Sequence, residues 1–452
     1  MQSLIMAKYS MATLFSGAGG LDTAFYENEN FNLIFANDVL DAPADSYSKN
    51  YSHTKVEAKN FTKNSKLPAY VVGDVTNINF EPIGKVDCMI GGPPCQDFSI
   101  ARGGNRIGIN SASHVKKKEE VNRGKLYLQY VRAIESAQPK FFAFENVPGL
   151  KSANDGLAYG TIVSDFQKQG YQILFNDTVN ATKIGVPQAR RRLIIIGVKN
   201  NIASNLSETA VEDAQKILTG SDSLVSKYPI CAMEALEGKT VPELAEKYAK
   251  VMEEYKGVEK ETKTADSMQW KKNIWDNLTM DSVNDYIFVN GIKDADEGEL
   301  KKAFAEHKKV LKRLGFDKSV HDKIFDDNSN EIPNEATSVS ERMRRIHPGG
   351  NHLAVAGTKW NVKGTMSNIY RRTDPLRPAF TVMAYGGGGT WSYHYERERG
   401  VLTNRERARL QTFPDNYMFE GNRSQVRAQI GEAVPAQLGR KIAEVAELVL
   451  NN

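Results

Sequence analysis

Long apolar runs are what this 452-residue sequence most plainly lacks: none approaches the ~18 residues that a membrane-spanning helix needs, and the N-terminus carries no apolar segment of the secretory kind. The sequence argues against a helical membrane protein and a secreted one, and a reducing, cytoplasmic setting is expected. Cysteine is scarce too. The three, at positions 88, 95 and 231, show no Cys-x-x-Cys spacing, and the seven histidines do not cluster along the chain. Neither a disulfide framework nor a structural zinc is indicated, and no metal is expected. Nor does one sign of charge dominate, since 59 Lys and Arg against 55 Asp and Glu leave a net +4. With 40% hydrophobic and 25% charged residues, what remains is an ordinary globular chain with room for two or three domains.

Against that background Gly91-Gly92-Pro93-Pro94-Cys95-Gln96 stands out. It follows the strand-like stretch 86–90, and in a doubly wound α/β protein ligands bind outside the carboxyl ends of the strands, so a loop at that point faces a site. Two glycines let the chain turn tightly and two prolines fix it before the thiol, the setting of a reactive cysteine. Cys88 lies inside the apolar stretch and reads as core packing, while Cys231 falls where no catalytic motif occurs.

Upstream, Leu14-Phe15-Ser16-Gly17-Ala18-Gly19-Gly20-Leu21 follows an apolar run and opens a helical segment. Glycines at a strand-to-helix turn allow close backbone approach to a nucleotide-like cofactor. No third glycine is placed for a pyrophosphate, so a ligand without phosphates fits better. Asp38 ends the next apolar stretch, where a carboxylate reaches ribose hydroxyls, and Asp74 ends a third; either acid taken alone is more often a turn or helix-cap residue. Their placement at successive strand ends favours ligand contact.

Three further blocks follow: Phe144-Glu145-Asn146-Val147-Pro148-Gly149 at the end of an apolar strand, Gln188-Ala189-Arg190-Arg191-Arg192 before another, and a C-terminal third containing Arg377-Pro378-Ala379-Phe380, Arg405 to Asp415 and Gly431-Glu432-Ala433-Val434-Pro435. In this order the blocks resemble the C5-cytosine DNA methyltransferases, over residues 11 to 200 and roughly 365 to 445. The resemblance implies an α/β fold, a Rossmann-like S-adenosylmethionine-dependent methyltransferase domain with a mixed, mostly parallel sheet, and a smaller target-recognition domain. It implies S-adenosyl-L-methionine as cofactor, held by Phe15, Gly17, Gly19, Gly20, Leu21, Asp38, Val39, Asp74, Val75, Pro94, Leu126, Glu432 and Ala433.

The chemistry explains why those residue types occur together. Cytosine C5 is a poor nucleophile, and a thiolate adding to C6 makes it enamine-like, which is covalent nucleophilic catalysis. Cys95 is the candidate nucleophile and Glu145 the acid at N3, its pKa expected to rise in an apolar pocket and to be pushed back down by Arg190 or Arg192. Arg192 is by resemblance the pocket arginine. The base that removes the C5 proton is not identified. The target nucleotide must also leave the duplex stack, and residues 96–126, with Arg102, Arg106 and three consecutive lysines, read as a lid that closes on DNA phosphates.

Charge is distributed unevenly. Lys plus Arg against Asp plus Glu count 23 and 18 over residues 1–206, 19 and 27 over 207–335, and 17 and 10 over 336–452. The expected division is a catalytic, cofactor-binding domain at 8–205 and 420–452, a mostly helical acidic insertion at 206–335 turned away from DNA, and a target-recognition region and hinge at 336–419. Arg342, Arg344, Arg345, Asn351, Lys363, Arg371 and Arg372, set among glycine turns, are the expected groove and phosphate contacts. Gly386 to Gly389 reads as a flexible element near DNA or at the lobe junction.

Some positions depart from the family pattern. Glu432 stands where asparagine is commonest, Leu40 where a second acid often follows Asp38, and Asp97 and Asn122 also differ, but no reacting group is missing. The expected function is methylation of cytosine C5 within a short specific sequence of double-stranded DNA, through a Cys95–C6 adduct on a flipped-out base. A monomer is expected, with a cognate restriction endonuclease as a partner in the same system but not in a stable complex. Two rivals are a tRNA cytosine-C5 methyltransferase, against which the large insertion argues, and a DNA-binding regulator without catalysis, against which Cys95, Glu145, Arg190 and Arg192 argue.

Overall fold

The computed structural model describes residues 8–94, 126–277, 281–292, 295–362, 369–385 and 390–452. Its contacts fall into two compact units, one of Met1–Asn180, Arg191–Thr219 and Leu438–Asn452, the other of Ala181–Arg190 and Gly220–Gln437. The changes in charge near 206 and 336 are therefore not changes in packing: residues 220–335 share a unit with the expected recognition region, and that unit extends past 420 to Gln437.

The first unit is built on an eight-stranded sheet of β1 (Tyr9–Leu14), β2 (Phe31–Asp38), β3 (Thr54–Glu57), β4 (Ala69–Val72), β5 (Cys88–Gly91), β6 (Phe141–Asn146), β7 (Tyr171–Asn180) and β8 (Arg191–Lys199), in the order β3-β4-β2-β1-β5-β6-β8-β7. The pairings from β3 across to β6 are parallel, and β8 runs antiparallel to both its neighbours. Strands covered on both faces must be apolar throughout. Cys88, Met89 and Ile90 in β5 and Leu193 to Ile196 in β8 are accordingly 0% exposed, whereas the edge strand β7 mixes buried and exposed positions.

Helices α1 (Thr23–Tyr26), α2 (Asp41–Asn50), α3 (Tyr127–Ala137), α4 (Leu157–Lys168), α5 (Asn200–Ala203) and α6 (Glu208–Thr219) connect and extend these strands. In α3 the buried residues are Tyr130, Ala133, Ile134 and Ala137, one stripe at helical spacing. Tyr130 Oη donates to the carbonyls of Met89 and Ala143, tying the helix to β5 and β6 at 3.0 Å each. The C-terminal helix Ala436–Asn451 belongs to this unit from Leu438 onward, and Tyr9 Oη donates to Leu450 O at 3.0 Å. Gly439 allows the helix to press on the loop after β1, because a Cβ there would lie 2.3 Å from Leu21 O.

From β1 the chain lays β2 alongside, sets β3 at the edge and inserts β4 between β2 and β3, then crosses to β5 and builds the other way. The carboxyl ends of β1 and β5, paired through Leu14 and Gly91, mark the reversal, which is where open α/β sheets bind ligands. Both conspicuous loops leave from that point.

The second unit is helical and irregular. Its helices include Ala245–Glu254, Ala265–Asn277, Glu297–Arg313, Asn404–Leu410 and Arg423–Glu432, and its described β-pairings are the isolated bridges Gln188↔Ala379, Arg372↔Tyr393 and Tyr393↔Val401. Much of its buried backbone therefore needs side-chain donors for its carbonyls.

Candidate active site

The loop after β1 turns through left-handed backbone at Phe15 (φ +57°), Gly17 (φ +52°) and Gly19 (φ +76°). At Gly19 a Cβ would sit 2.8 Å from the Tyr51 ring and 2.9 Å from that of Tyr47, so both conformation and space require glycine. Gly17 N–H donates to Asp38 Oδ2 at 2.9 Å, and Tyr70 Oη donates to Gly17 O at 2.9 Å. Asp38 Oδ1 accepts from the amides of Val39 (2.7 Å) and Leu40 (3.3 Å). The carboxylate expected to reach ribose is thus first the lock between the end of β2 and the glycine loop. Burial pushes its pKa up against the hydrogen bonds from Gly17, Leu40 and Val39. Beside it Val39 is 61% exposed, an apolar shoulder open to a planar ligand.

Other expected cofactor positions take different roles. Asp74 Oδ1 accepts from Thr76 N at 2.9 Å and caps a short turn, the ordinary use of such an acid. Val75 is 4% exposed and packed in the hydrophobic core, and its carbonyl accepts from Arg132. Leu126, at the start of α3, packs half-buried against that core, and Pro94 is exposed. Gly20 and Leu21 are buried in the loop itself. Sequence reasoning missed Asp22, whose carboxyl is fully buried against Thr13 Oγ1 at 3.1 Å and which burial raises to about 7. Its only sequence signal is an acid one residue after the glycine loop.

Across the reversal, β5 ends at Gly91 and leads to Gly92, Pro93 and Pro94. Asn146 Nδ2 donates to Pro93 O at 3.2 Å and Asn146 Oδ1 accepts from Val147 N, so the asparagine after Glu145 anchors the proline loop to β6. Glu145 projects from β6 opposite Ile194 of the antiparallel β8, and Arg192 Nε lies 2.8 Å from Glu145 Oε1, with side-chain exposures of 17% and 12% for the arginine and glutamate. The other carboxylate oxygen faces Gly92, where a Cβ would come within 2.6 Å of Oε2. The acid is held between a guanidinium and the backbone of the proline loop. Cys95, Arg102, Arg106, Lys363, Asp97, Asn122, Gly386 to Gly389 and all but the last residue of the expected lid lie outside the described residues.

Arg190 corrects the expectation. It is 2% exposed, and its guanidinium donates to the carbonyls of Val382 (3.3 Å), Gly431 (3.2 Å) and Ala433 (2.9 Å) within the second unit. Its fork donates to backbone carbonyls, and it is Arg192 that pairs with Glu145. Glu432 is exposed at the end of the helix Arg423–Glu432, and the Ala433 carbonyl also accepts from Gln411 Nε2.

The expected DNA contacts divide sharply. Arg372 is 0% exposed and donates to the carbonyls of Ile346, His394, Glu396 and Met343 at 2.5 to 2.8 Å; it cannot touch a groove. Arg342 Nε donates to Trp360 O and its guanidinium lies over Tyr370, Arg345 lies over Trp360 and pairs with Glu341, and Asn351 caps a short turn at Leu353 N. Arg344, paired with Glu341 and Glu398, and the half-buried Arg371, over Phe380, stay partly open to solvent. Acids of the segment expected to stand apart pair with this basic stretch: Glu261 with Arg345 and Arg397, Asp266 with His347, and Asp327 with Arg405.

The fold brings together Glu237, His321 and His394, distant in sequence. The donor set does not fit a metal. His394 Nδ1 accepts from Glu396 N–H, which leaves the ring proton on Nε2, and Glu237 Oε1 is already taken by Lys247 at 2.8 Å and Tyr395 Oη at 2.6 Å.

A mostly parallel sheet with a phosphate-free glycine loop and a paired carboxylate at its reversal defines the class of S-adenosylmethionine-dependent α/β methyltransferases. Within it, the model of the C-5 cytosine-specific DNA methylases matches residues 9–447, and the chain belongs to that family. It is similar to the DNA (cytosine-5-)-methyltransferase M.ApeKI of Aeropyrum pernix, 43% identical over 99% of this chain and 100% of that protein, and to the Type II methyltransferase M.NgoFVII of Neisseria gonorrhoeae, 29% identical over 98% and 87%. Its fold resembles that of an E. coli prophage protein assigned as a DNA modification methyltransferase, with a TM-score of 0.58 at 20% identity over 98% and 99% of the two chains. The chain is a DNA (cytosine-5-)-methyltransferase whose methyl donor is S-adenosylmethionine.

Proposed function

We propose that the enzyme methylates C5 of a cytosine within a short specific sequence of double-stranded DNA, on a flipped-out base bonded covalently to Cys95. The observation that carries this reading is the clasp on Glu145, with Arg192 Nε 2.8 Å from one carboxylate oxygen and Gly92 against the other. Cys95 is the third residue beyond Gly92 in the sequence. Its thiolate adds to C6 while Glu145 holds a proton at N3, so that the electron pair displaced from the C5–C6 bond is not left as bare charge in the ring. Arg192 fixes the direction of that carboxyl. When bound, S-adenosylmethionine supplies an electrophilic sulfonium methyl; the glycine loop, the Asp38 lock and the exposed Val39 are the groups that would hold it, an arrangement without cations for phosphates. Loss of the C5 proton to water leaves its electron pair to re-form the C5–C6 double bond and expel Cys95 as thiolate, while N3 returns its proton to Glu145. The residues suited to contact DNA are Arg344 and Arg371 together with Arg102, Arg106 and Lys363.

In this reading the enzyme is the modification arm of a restriction system. It acts as a monomer in the cytoplasm, without a stable complex with the endonuclease. Bisulfite sequencing of plasmid DNA from cells expressing the chain, beside a Cys95→Ser control, tests it. Protected cytosines at one short motif, absent in the control, are expected; a plasmid rich in diverse sequence that shows none in either sample, with soluble folded protein, sinks the proposal.

A further inference from the structure

The helix Asn404–Leu410 carries three arginines, all buried, and they are not equivalent. Arg405 reaches Asp327 Oδ2 at 2.5 Å, Ser329 Oγ at 2.8 Å and the Tyr417 carbonyl at 3.0 Å. Arg409 grips both oxygens of Asp415, at 2.9 and 2.6 Å, and the carbonyls of Ala235 and Leu236. Arg407 has no such set. Its Nε donates to Leu402 O at 3.2 Å, and its Nη2, in a residue 2% exposed, has no hydrogen-bond partner among the described residues.

The Arg407 guanidinium lies 5.1 Å from the ring centre of Trp391, and a second guanidinium, that of Arg427, lies 3.3 Å from the same ring. Arg427 Nε is likewise buried without a partner among the described residues, and its Nη2 makes only a 3.4 Å contact with Ser424 Oγ. The adjacent Glu406 is spent on Arg399 Nη2 and Thr403 N, and Arg423 is paired with Glu331. Burial and then Arg427 push Arg407 down to about 10, so it remains a cation at neutral pH. Two like charges against one indole, each with an unused N–H, make a site that an anion would relieve, and guanidinium forks match phosphate oxygens. Trp391 and Arg427 are half-exposed, so solvent reaches the pair at Arg427, while Arg407 is buried.

We propose that Arg427, held by Trp391 and backed by the buried charge of Arg407, clamps a phosphate of the duplex DNA backbone. The inference rests on duplex DNA being the substrate. Such a contact positions the duplex and carries no sequence information, so its loss weakens all duplexes alike.

The test is the affinity of the full chain for duplex DNA from 50 to 200 mM salt, for wild type, Arg427→Ala and Arg427→Lys, with a duplex carrying the methylated motif and one lacking it. Removing one phosphate contact should make the slope of log K against log salt shallower by about 0.9 and weaken both duplexes by the same factor, of order 10, at low salt. Lysine should restore the slope more than the affinity, since it keeps the charge and loses the fork. In turnover the loss should fall on KM for DNA. An unchanged slope in Arg427→Ala, with wild type binding and methylating duplex normally, overturns the clamp and leaves the proposed function standing. A loss confined to the motif duplex overturns it too, because that would be base reading. Inorganic phosphate, titrated against Trp391 fluorescence in a variant with the other three tryptophans replaced by phenylalanine, should bind only weakly; tight phosphate binding with an unchanged DNA slope assigns the site to a free anion. Wild type that fails to bind duplex at all overturns the clamp and the proposed function together.

Discussion

Replacing Gly92 by alanine adds one methyl group at a point where its carbon would lie 2.6 Å from Glu145 Oε2. Ordinary contact begins near 3.4 Å, so the two must separate by about 0.8 Å. The obstructing atom is the far end of a side chain, and β5 and β6 need not part. Folding should therefore lose only ~1 kcal/mol, the low end of what overpacking costs. Catalysis should lose much more, because Glu145 is already held on its other side by Arg192 at 2.8 Å and cannot retreat while keeping its aim. A misplacement approaching 1 Å at a reacting group costs roughly 100-fold. The assay is the initial rate of methyl incorporation into duplex DNA at saturating donor, run beside thermal unfolding. In a double-mutant cycle with Glu145→Gln, the alanine should add little further loss, since both changes act through one carboxyl. Wild-type kcat in Gly92→Ala would refute the reasoning. So would additivity with Glu145→Gln, or a melting drop as large as a core truncation, which would place the strain in the backbone.

Two further outcomes follow from the second unit. His307 Nδ1 lies 2.9 Å from Glu234 Oε1 and Nε2 lies 2.8 Å from Tyr228 O; both partners only accept, so the buried ring holds both protons. Burial opposes that charge, but Glu234 and the Tyr228 carbonyl outweigh it and the pKa stands above the usual 6.5. A raised folded-state pKa stabilises fully below the unfolded value and less as pH rises through the folded one, so melting temperature should fall on that rise, and this part of the slope should vanish in His307→Gln; an identical slope in the variant would refute the assignment. Arg372→Lys keeps the charge but leaves buried carbonyls unpaired, at about 1–3 kcal/mol each, and should lower the melting temperature while sparing DNA affinity per folded molecule. A selective loss of DNA binding at unchanged melting temperature would return Arg372 to the DNA surface.

The contrast between Arg190 and Arg192 shows what the sequence carries and what it does not. Strand ends were legible because burial on both faces writes itself as apolar runs, and glycines at a strand end signal a turn that only they can make. Resemblance alone, and not those runs, places Arg192 with Glu145; the antiparallel pairing of β6 and β8, which sets Glu145 opposite Ile194, two residues from Arg192, is a tertiary feature that apolar runs do not carry. Arginines in irregular structure were not legible. A fold without a sheet must still pair its buried carbonyls, and a guanidinium with five donors can serve several at once. Arg372 gives Nε and both terminal nitrogens to carbonyls, Arg190 gives both terminal nitrogens to carbonyls, and Arg405 and Arg409 do so in part while neutralising Asp327 and Asp415. From sequence Arg372 looks like a groove or phosphate contact and Arg190 like an arginine of the catalytic pocket. Charges of the acidic segment answer those of the basic stretch inside one unit, Glu261 for Arg345 and Arg397 and Asp266 for His347, a pairing that a sign change along the chain does not reveal. Arg407, inside the block Arg405 to Asp415, and Arg427, which no motif singled out, each keep a donor without a partner among the described residues and share one indole, and it is this conjunction, not the unused donor alone, that points the pair toward a ligand.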